Sequence, residues 1–210
     1  MRLAQASPAY LGARFARPRG DASLPALIGT RPPIWRRVLA PADLTLAQFH
    51  NALQAVVGWE NCHLHEFRIG RRRFGVPDPE DRLMGGTGCI NERKVRLSDV
   101  LGKAGAKAEY TYDFGDSWEH SIVVEKVLTP EPGAVYPVCT AGKRHGPPED
   151  CGGLGGYDNF LEAIADPEHE EHEQMLEWMS SLDPEAFSVD HVNRKLASLQ
   201  RRQAKRSKPI

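Results

Sequence analysis

A chain of 210 residues, 40% hydrophobic and 26% charged, is long enough to bury a core without staples. Its formal net charge of -1 gives the chain as a whole no attraction for nucleic acid or anionic membrane. No apolar run approaches the roughly 20 residues of a membrane helix, and no signal segment opens the sequence, so a cytoplasmic protein with free thiols at Cys62, Cys89, Cys139 and Cys151 is expected.

Charge is unevenly placed. Residues 166–177 carry Asp166, Glu168, Glu170, Glu171, Glu173 and Glu177, whereas 194–208 hold seven basic residues and no acid. A block of this kind predicts a solvated, flexible tail from about 202, with an interaction arm as the alternative.

Residues 10–16 read as a first strand and 18–25 as a loop through Gly20, Asp21 and Ser23. Pro32 and Pro33 hold the backbone extended after Arg31, and 34–39 follow as a second strand. The best-specified element is a helix opening after Thr45. Gln48 completes a capping box, Leu44 and Phe49 are placed for a hydrophobic staple, and Gly58 suits a left-handed C-terminal cap. Leu46, Phe49, Leu53 and Val56 or Val57 share one face. Residues 63–69 alternate as a strand does, while 71–88 reads as a turn and then a loop. Leu97 and Ser98 open a short helix that Gly102 and Gly105 end. Strands are predicted over 107–114 and 117–128, joined by a type II′ turn at Gly115 and Asp116. The stretch 130–156 lacks any period and reads as a long irregular loop. Helices are predicted over 157–165, 169–180 and 189–202. The expected fold is a single α+β domain over 1–210. It has an antiparallel or mixed sheet, one packed central helix and a C-terminal group of helices. Trp35, Trp59 and Trp118 are expected to be substantially buried near the sheet and Trp178 to pack on a C-terminal helix.

With a two-residue turn, Asp113 faces Trp118, Thr111 faces His120, and Asp113, Trp118 and His120 share a face. A carboxylate and an imidazole there could pair, hold a metal or act as acid and base; the plainer arrangement is a hydrogen bond that tightens the hairpin. His63 and His65, spaced H-x-H, point to one side of their strand and could share a divalent cation such as zinc. Residues 139–153 add Cys139, His145, Glu149, Asp150 and Cys151, without the C-x2-C spacing of a zinc ribbon. The candidate polar site is therefore His63, His65, Asp113, Asp116, His120, Glu149 and Asp150; the candidate metal ligands are His63, His65, His120, Cys139 and Cys151. His169 and His172 lack zinc-protease spacing, and glycines 152–156 lack the Lys-Ser or Lys-Thr of a phosphate loop.

Four motifs, PPIWRR at 32–37, GWENCHLHEF at 58–67, YTYDFGDSWEH at 110–120 and PPEDCGG at 147–153, occur in the order that marks one family. From about residue 10 to 199 the chain resembles the plasmid pRiA4b ORF-3-like proteins, some of which are described as insertion-element passenger proteins with a resolvase-like name. The resemblance implies a compact α+β domain and an association with plasmids or mobile elements, and it implies no known reaction. The resolvase-like description does not transfer, because the sequence has no serine-recombinase catalytic set. Gly146 stands where many relatives have a cysteine, so a cysteine metal site common to the family would need His145 as substitute. Residues 17–30 also look longer than the usual connection.

Two functions follow as expectations. A non-enzymatic binding or accessory protein, acting on nucleic acid or a protein partner, fits the missing catalytic set and the basic stretches at Arg71, Arg72 and Arg73 and in the tail. A metal-dependent, hydrolase-like enzyme fits the density of ligand-type residues at His63, His65, Asp113, Asp116, His120 and Glu149.

Overall fold

Helix α1 (Leu46–Val57) begins and ends where side-chain chemistry sets its boundaries. The Thr45 hydroxyl accepts the Gln48 N–H at 3.2 Å, and the Gln48 side chain accepts the Thr45 N–H at 2.9 Å. This capping box satisfies donors that the first turn leaves unpaired. Gly58, at φ 111°, closes the other end by donating to the Gln54 carbonyl. The computed structural model describes residues 10–15, 27–77, 88–179 and 182–206, with backbone alone at 10, 12–15 and 202–206. The loop expected over 18–25 lies outside them.

Eight strands form one sheet among the described residues: β1 (Tyr10–Phe15), β2 (Trp35–Pro41), β3 (His65–Ile69), β4 (Arg72–Gly75), β5 (Ile90–Asn91), β6 (Lys107–Tyr112), β7 (Trp118–Leu128) and β8 (Val138–Lys143). Their order is β5-β4-β3-β6-β7-β1-β2-β8. Only β4 and β5 pair in parallel, so the sheet is mixed. Four further helices, α2 (Leu97–Leu101), α3 (Gly153–Ala165), α4 (His172–Trp178) and α5 (Val189–Arg206), complete the α+β fold.

One face of the sheet is buried by the period of two: Arg36, Val38 and Ala40 on β2, Ala108, Tyr110 and Tyr112 on β6, and Trp118, His120, Ile122 and Val124 on β7. Buried Leu46, Phe49, Leu53 and Val56 of α1 join the same core, and Phe49 stacks on Phe67 with ring centroids 6.2 Å apart. Helix α5 packs against α1 and edge strand β8. There Asn193 donates to the Cys139 carbonyl at 2.9 Å and accepts its N–H at 2.8 Å, which occupies backbone groups of an edge strand. Trp59 and Trp118 are buried, Trp35 is half-buried, and the largely exposed Trp178 meets Phe160 edge-on.

Several boundaries differ from those the sequence predicts. The β6–β7 connection is five residues long, and Tyr112 faces Trp118, Tyr110 faces His120 and Thr111 faces Glu119. The Asp113 carboxylate captures the N–H groups of Gly115 and Asp116, and Asp113 and Ser117 both adopt positive φ, so the chain leaves the ladder before a two-residue turn can form. Asp113 is consequently not the cross-strand partner of Trp118. Strand β3 starts at His65, leaving His63 in the preceding loop. Within the stretch expected to be turn and loop, β4 pairs with β3 across Gly70 and Arg71. Residues 138–143 are strand β8, and α3 opens at Gly153 rather than at residue 157. Helix α4 is shorter than the predicted 169–180, and α5 continues to Arg206.

The start of α3 leaves no room for a side chain at Gly153 or at Gly156. A Cβ at Gly156 would stand 1.7 Å from the Cys151 carbonyl oxygen, whereas one at Gly155 would meet nothing within 4 Å. Gly156→Ala should cost about 3 kcal/mol or more, through displacement of the 151–153 backbone. Gly155→Ala should be neutral or stabilise by about 0.5–1 kcal/mol. Equal urea midpoints for the two variants would contradict this packing.

Candidate metal centre and its buried polar support

Tyr110 and Tyr112 point from β6 toward α1 and carry their hydroxyls into the core. Tyr110 accepts from Gln54 at 3.0 Å and meets His50 Nδ1 at 2.7 Å. His50 Nε2 lies 2.6 Å from the Asn61 side-chain oxygen. A neutral His50 with its proton on Nε2 completes this chain, with the Tyr110 hydroxyl as donor to Nδ1. Burial, joined by the charge of His65, pushes His50 down to about 4, against weaker upward pulls from Asn61 and Glu92. The His50 and His65 rings stack at 3.4 Å with an interplanar angle of 4°. His65 Nε2 meets the buried Glu92 carboxylate at 2.8 Å.

Tyr112 faces the loops. Its hydroxyl accepts the N–H groups of Cys62 and His63 at 3.0 and 3.3 Å and donates to Glu149, whose other oxygen accepts the Glu60 N–H at 2.8 Å. Burial, reinforced by Glu149, holds the Tyr112 phenol protonated far above its ordinary range. Trp59 stacks on Tyr112 at 4.7 Å and donates to the Pro147 carbonyl at 3.0 Å. These bonds fasten residues 59–63 to 147–150.

His63 and Asp150 meet at this junction. Asp113 Oδ2 is 3.6 Å from His63 Nδ1, and Asp150 Oδ1 is 3.1 Å from His63 Nε2. One ligand atom from each of His63, Asp113 and Asp150 lies within 4.8 Å of the other two. Asp113 is buried, His63 half-buried and Asp150 exposed, so the cluster opens to solvent on the Asp150 side. His63 Nε2 is itself shielded and makes no hydrogen bond among the described residues. Asp150 Oδ1, although 3.1 Å away, is not aligned as an acceptor.

The remaining candidates stand elsewhere. Asp116 accepts the Gly152 N–H at 3.2 Å and ties the hairpin to the start of α3. His65 belongs to the His50–Glu92 group. His120 lies between Trp59 and Tyr110, 5.4 and 5.5 Å from their ring centroids, where burial lowers it to about 4. The expectation of His65 and His120 beside His63 therefore gives way to separate positions. His63 is outside β3, and the hairpin register puts His120 opposite Tyr110. Cys139 is buried beneath α5, and Cys151 lies at the start of α3, its thiol pushed up to about 12 chiefly by burial. Arg73 is bound to Glu66 and Arg72 lies 4.9 Å over Phe74, so the triple-arginine stretch is partly occupied within the fold.

His50, Tyr112 and Glu92 were not identifiable as site residues by motif. His50 carried one available signal, a polar side chain between Phe49 and Leu53 on the buried side of α1.

The fold and this junction define an α+β protein whose two central tyrosines position a His–Asp cluster at a hairpin tip. The chain belongs to the plasmid pRiA4b ORF-3-like family, whose pattern it matches over residues 26–191. It is 44% identical over 160 residues to the uncharacterized protein y4hQ of Sinorhizobium fredii, covering 76% of this chain and 80% of that one. It also resembles the crystal structure of a protein of unknown function, MM3350 from Methanosarcina mazei Go1. The TM-score is 0.74 and the identity 36%, over 88% of this chain and 98% of that one. Among the described residues no helix is long and apolar enough to cross a membrane.

His50 and His120 give the fold a defined acid response. Both are held at about 4, below the ordinary 6.5, so the unfolded chain takes up protons first as pH falls. Stability present above about 6.5 should be lost progressively toward 4, by on the order of 2–3 kcal/mol per imidazole. Urea midpoints that stay level between pH 7 and 5 would contradict the burial of neutral imidazoles.

Proposed function

We propose that this protein is a non-enzymatic accessory protein that binds a divalent cation through His63, Asp113 and Asp150. The observation that carries the reading is the convergence of three ligand atoms from three separate segments, within 4.8 Å of one another. One imidazole with two carboxylates suits zinc or manganese better than a thiolate-seeking metal. A cation there would take the lone pair of His63 Nε2, which has no hydrogen bond among the described residues, and offset the adjacent carboxylates. Glu149 and Tyr112 support the site by holding the 149–150 turn against the 60–63 loop.

A second reading, metal-assisted hydrolysis, is favoured by one feature. The Asp150 side chain is 72% exposed, so a cation bound beside it would retain access to water.

Titration calorimetry of chelator-treated protein with Zn2+ and Mn2+ tests the first reading. One of the two should bind at a single equivalent. At a hundred times its Kd, it should stabilise the fold by about 2.7 kcal/mol. His63→Ala and Asp150→Asn should each weaken binding by about tenfold or more. No saturable heat with either cation would overturn the reading, while turnover of a phosphate or carboxylate ester by the loaded protein would favour the second.

A further inference from the structure

A separate set of residues surrounds the C-terminal turn of α1. A cavity of about 590 Å³ opens between that turn, Arg36 of β2, His145 and the first turns of α5. This is the size range of sites that take small organic ligands. Its floor is apolar, formed in part by Val57, Phe187 and Val192, and its charged walls are Arg36, Arg194 and Lys195. No Asp or Glu lines it. The nearest acid on α5, Asp190, is exposed and outside the lining, and Glu185 is engaged with Arg144 at 2.6 Å.

Arg36 is the decisive residue. It is 4% exposed, and its hydrogen bonds go to neutral carbonyls alone: Nε to Val56 at 2.7 Å, and Nη1 to Trp35 and Lys143 at 2.8 Å each. Among the described residues it forms no ion pair, and Nη2 makes no hydrogen bond. Its guanidinium carbon sits 4.2 Å over the Phe187 ring, which fixes the group without neutralising it. Burial lowers Arg36 to about 10, so it stays charged at neutral pH. A buried charge is ordinarily paired. The contrast within this protein is direct, because the equally buried Arg144 has its carboxylate in Glu185.

We infer that the cavity between α1 and α5 binds a small phosphorylated organic molecule. Its phosphate sits among Arg36, Arg194 and Lys195, and its ring or apolar body lies against Phe187, Val57 and Val192. The three carbonyls leave Arg36 Nη2 as the guanidinium nitrogen able to donate to a phosphate, and the two exposed cations on α5 supply further charge. The inference is independent of the cation reading, since the two sites share no residue.

Titration calorimetry of the full chain with phenyl phosphate, inorganic phosphate, benzoate and phenol tests it, in chelator-treated protein so that no cation contributes. Phenyl phosphate should bind saturably, about tenfold or more tighter than inorganic phosphate, which lacks the ring, and than benzoate, which has less charge. Phenol should not bind, and added salt should weaken phenyl phosphate. The double variant R194A/K195A changes exposed side chains only, so it should keep the wild-type unfolding midpoint and lose about tenfold in affinity. Arg36→Lys keeps a charge but cannot hold those three carbonyls and still present the Nη2 donor, and it should also bind more weakly. Absence of saturable binding to wild-type protein, equal affinity for benzoate, or unchanged affinity in the double variant would overturn the inference.

Discussion

Two buried phenols organise the centre of this protein. A hydroxyl taken out of water without a partner costs on the order of 1–3 kcal/mol, and β6 buries two of them, Tyr110 and Tyr112, at alternate positions. Tyr110 is satisfied from α1, by His50 and Gln54. Tyr112 draws its partners from the 62–63 backbone and from Glu149, nearly ninety residues apart in sequence. Because both segments serve one oxygen, His63 and Asp150, each adjacent to such a partner, are brought together. The His–Asp cluster is thus a consequence of how a hydroxyl in the core is satisfied.

The same rule governs the imidazoles. Stacking His50 on His65 at 3.4 Å is tolerable because burial keeps His50 neutral, and Glu92 stands beside His65 to accept from it. Asn61 accepts the hydrogen bond from the remaining His50 N–H while holding positive φ, a backbone state that asparagine adopts more readily than most residues. Polar satisfaction therefore reaches from the sheet through α1 to the loop that presents His63.

Local chemistry was legible in the sequence and long-range pairing was not. The capping box of α1, the cap at Gly58 and the shared face of Trp118 and His120 on β7 depend on neighbours within a turn or two, and each reads directly. The hairpin register failed because Gly115 and Asp116 fit a tight turn, while the competing bond from the Asp113 carboxylate lengthens the loop by the same local rules. Strand β8 has little apolar alternation; it is stabilised by Asn193 of α5, and Gly142 is needed because a Cβ there would stand 2.5 Å from Phe187. His63, Asp113 and Asp150 could each be named as ligand types. Which of the seven polar candidates would converge depended on where β3 begins and on how Tyr112 is satisfied. Arg36 carried a signal that went unread, a cation in phase with Val38 and Ala40 on the inward face of β2.

Near-neutrality of the whole chain conceals an internal separation of charge. Around Asp150, at one end of the 145–150 segment, gather Asp113, Asp116 and Glu149; the cavity that His145 lines, at its other end, carries Arg36, Arg194 and Lys195 and no carboxylate. Trp59 spans the boundary, stacked on Tyr112 and bonded to the Pro147 carbonyl. Opposite charges left apart in this way forgo a mutual attraction that surface rearrangement would readily supply for flexible side chains. Here it cannot, because Arg36 is held by three carbonyls and Asp113 by the turn it closes. Fixed charges that cannot reach each other retain their capacity to attract ions from solution. A chain with a formal charge of -1 therefore keeps fixed charges of both signs apart, at the two ends of one short segment.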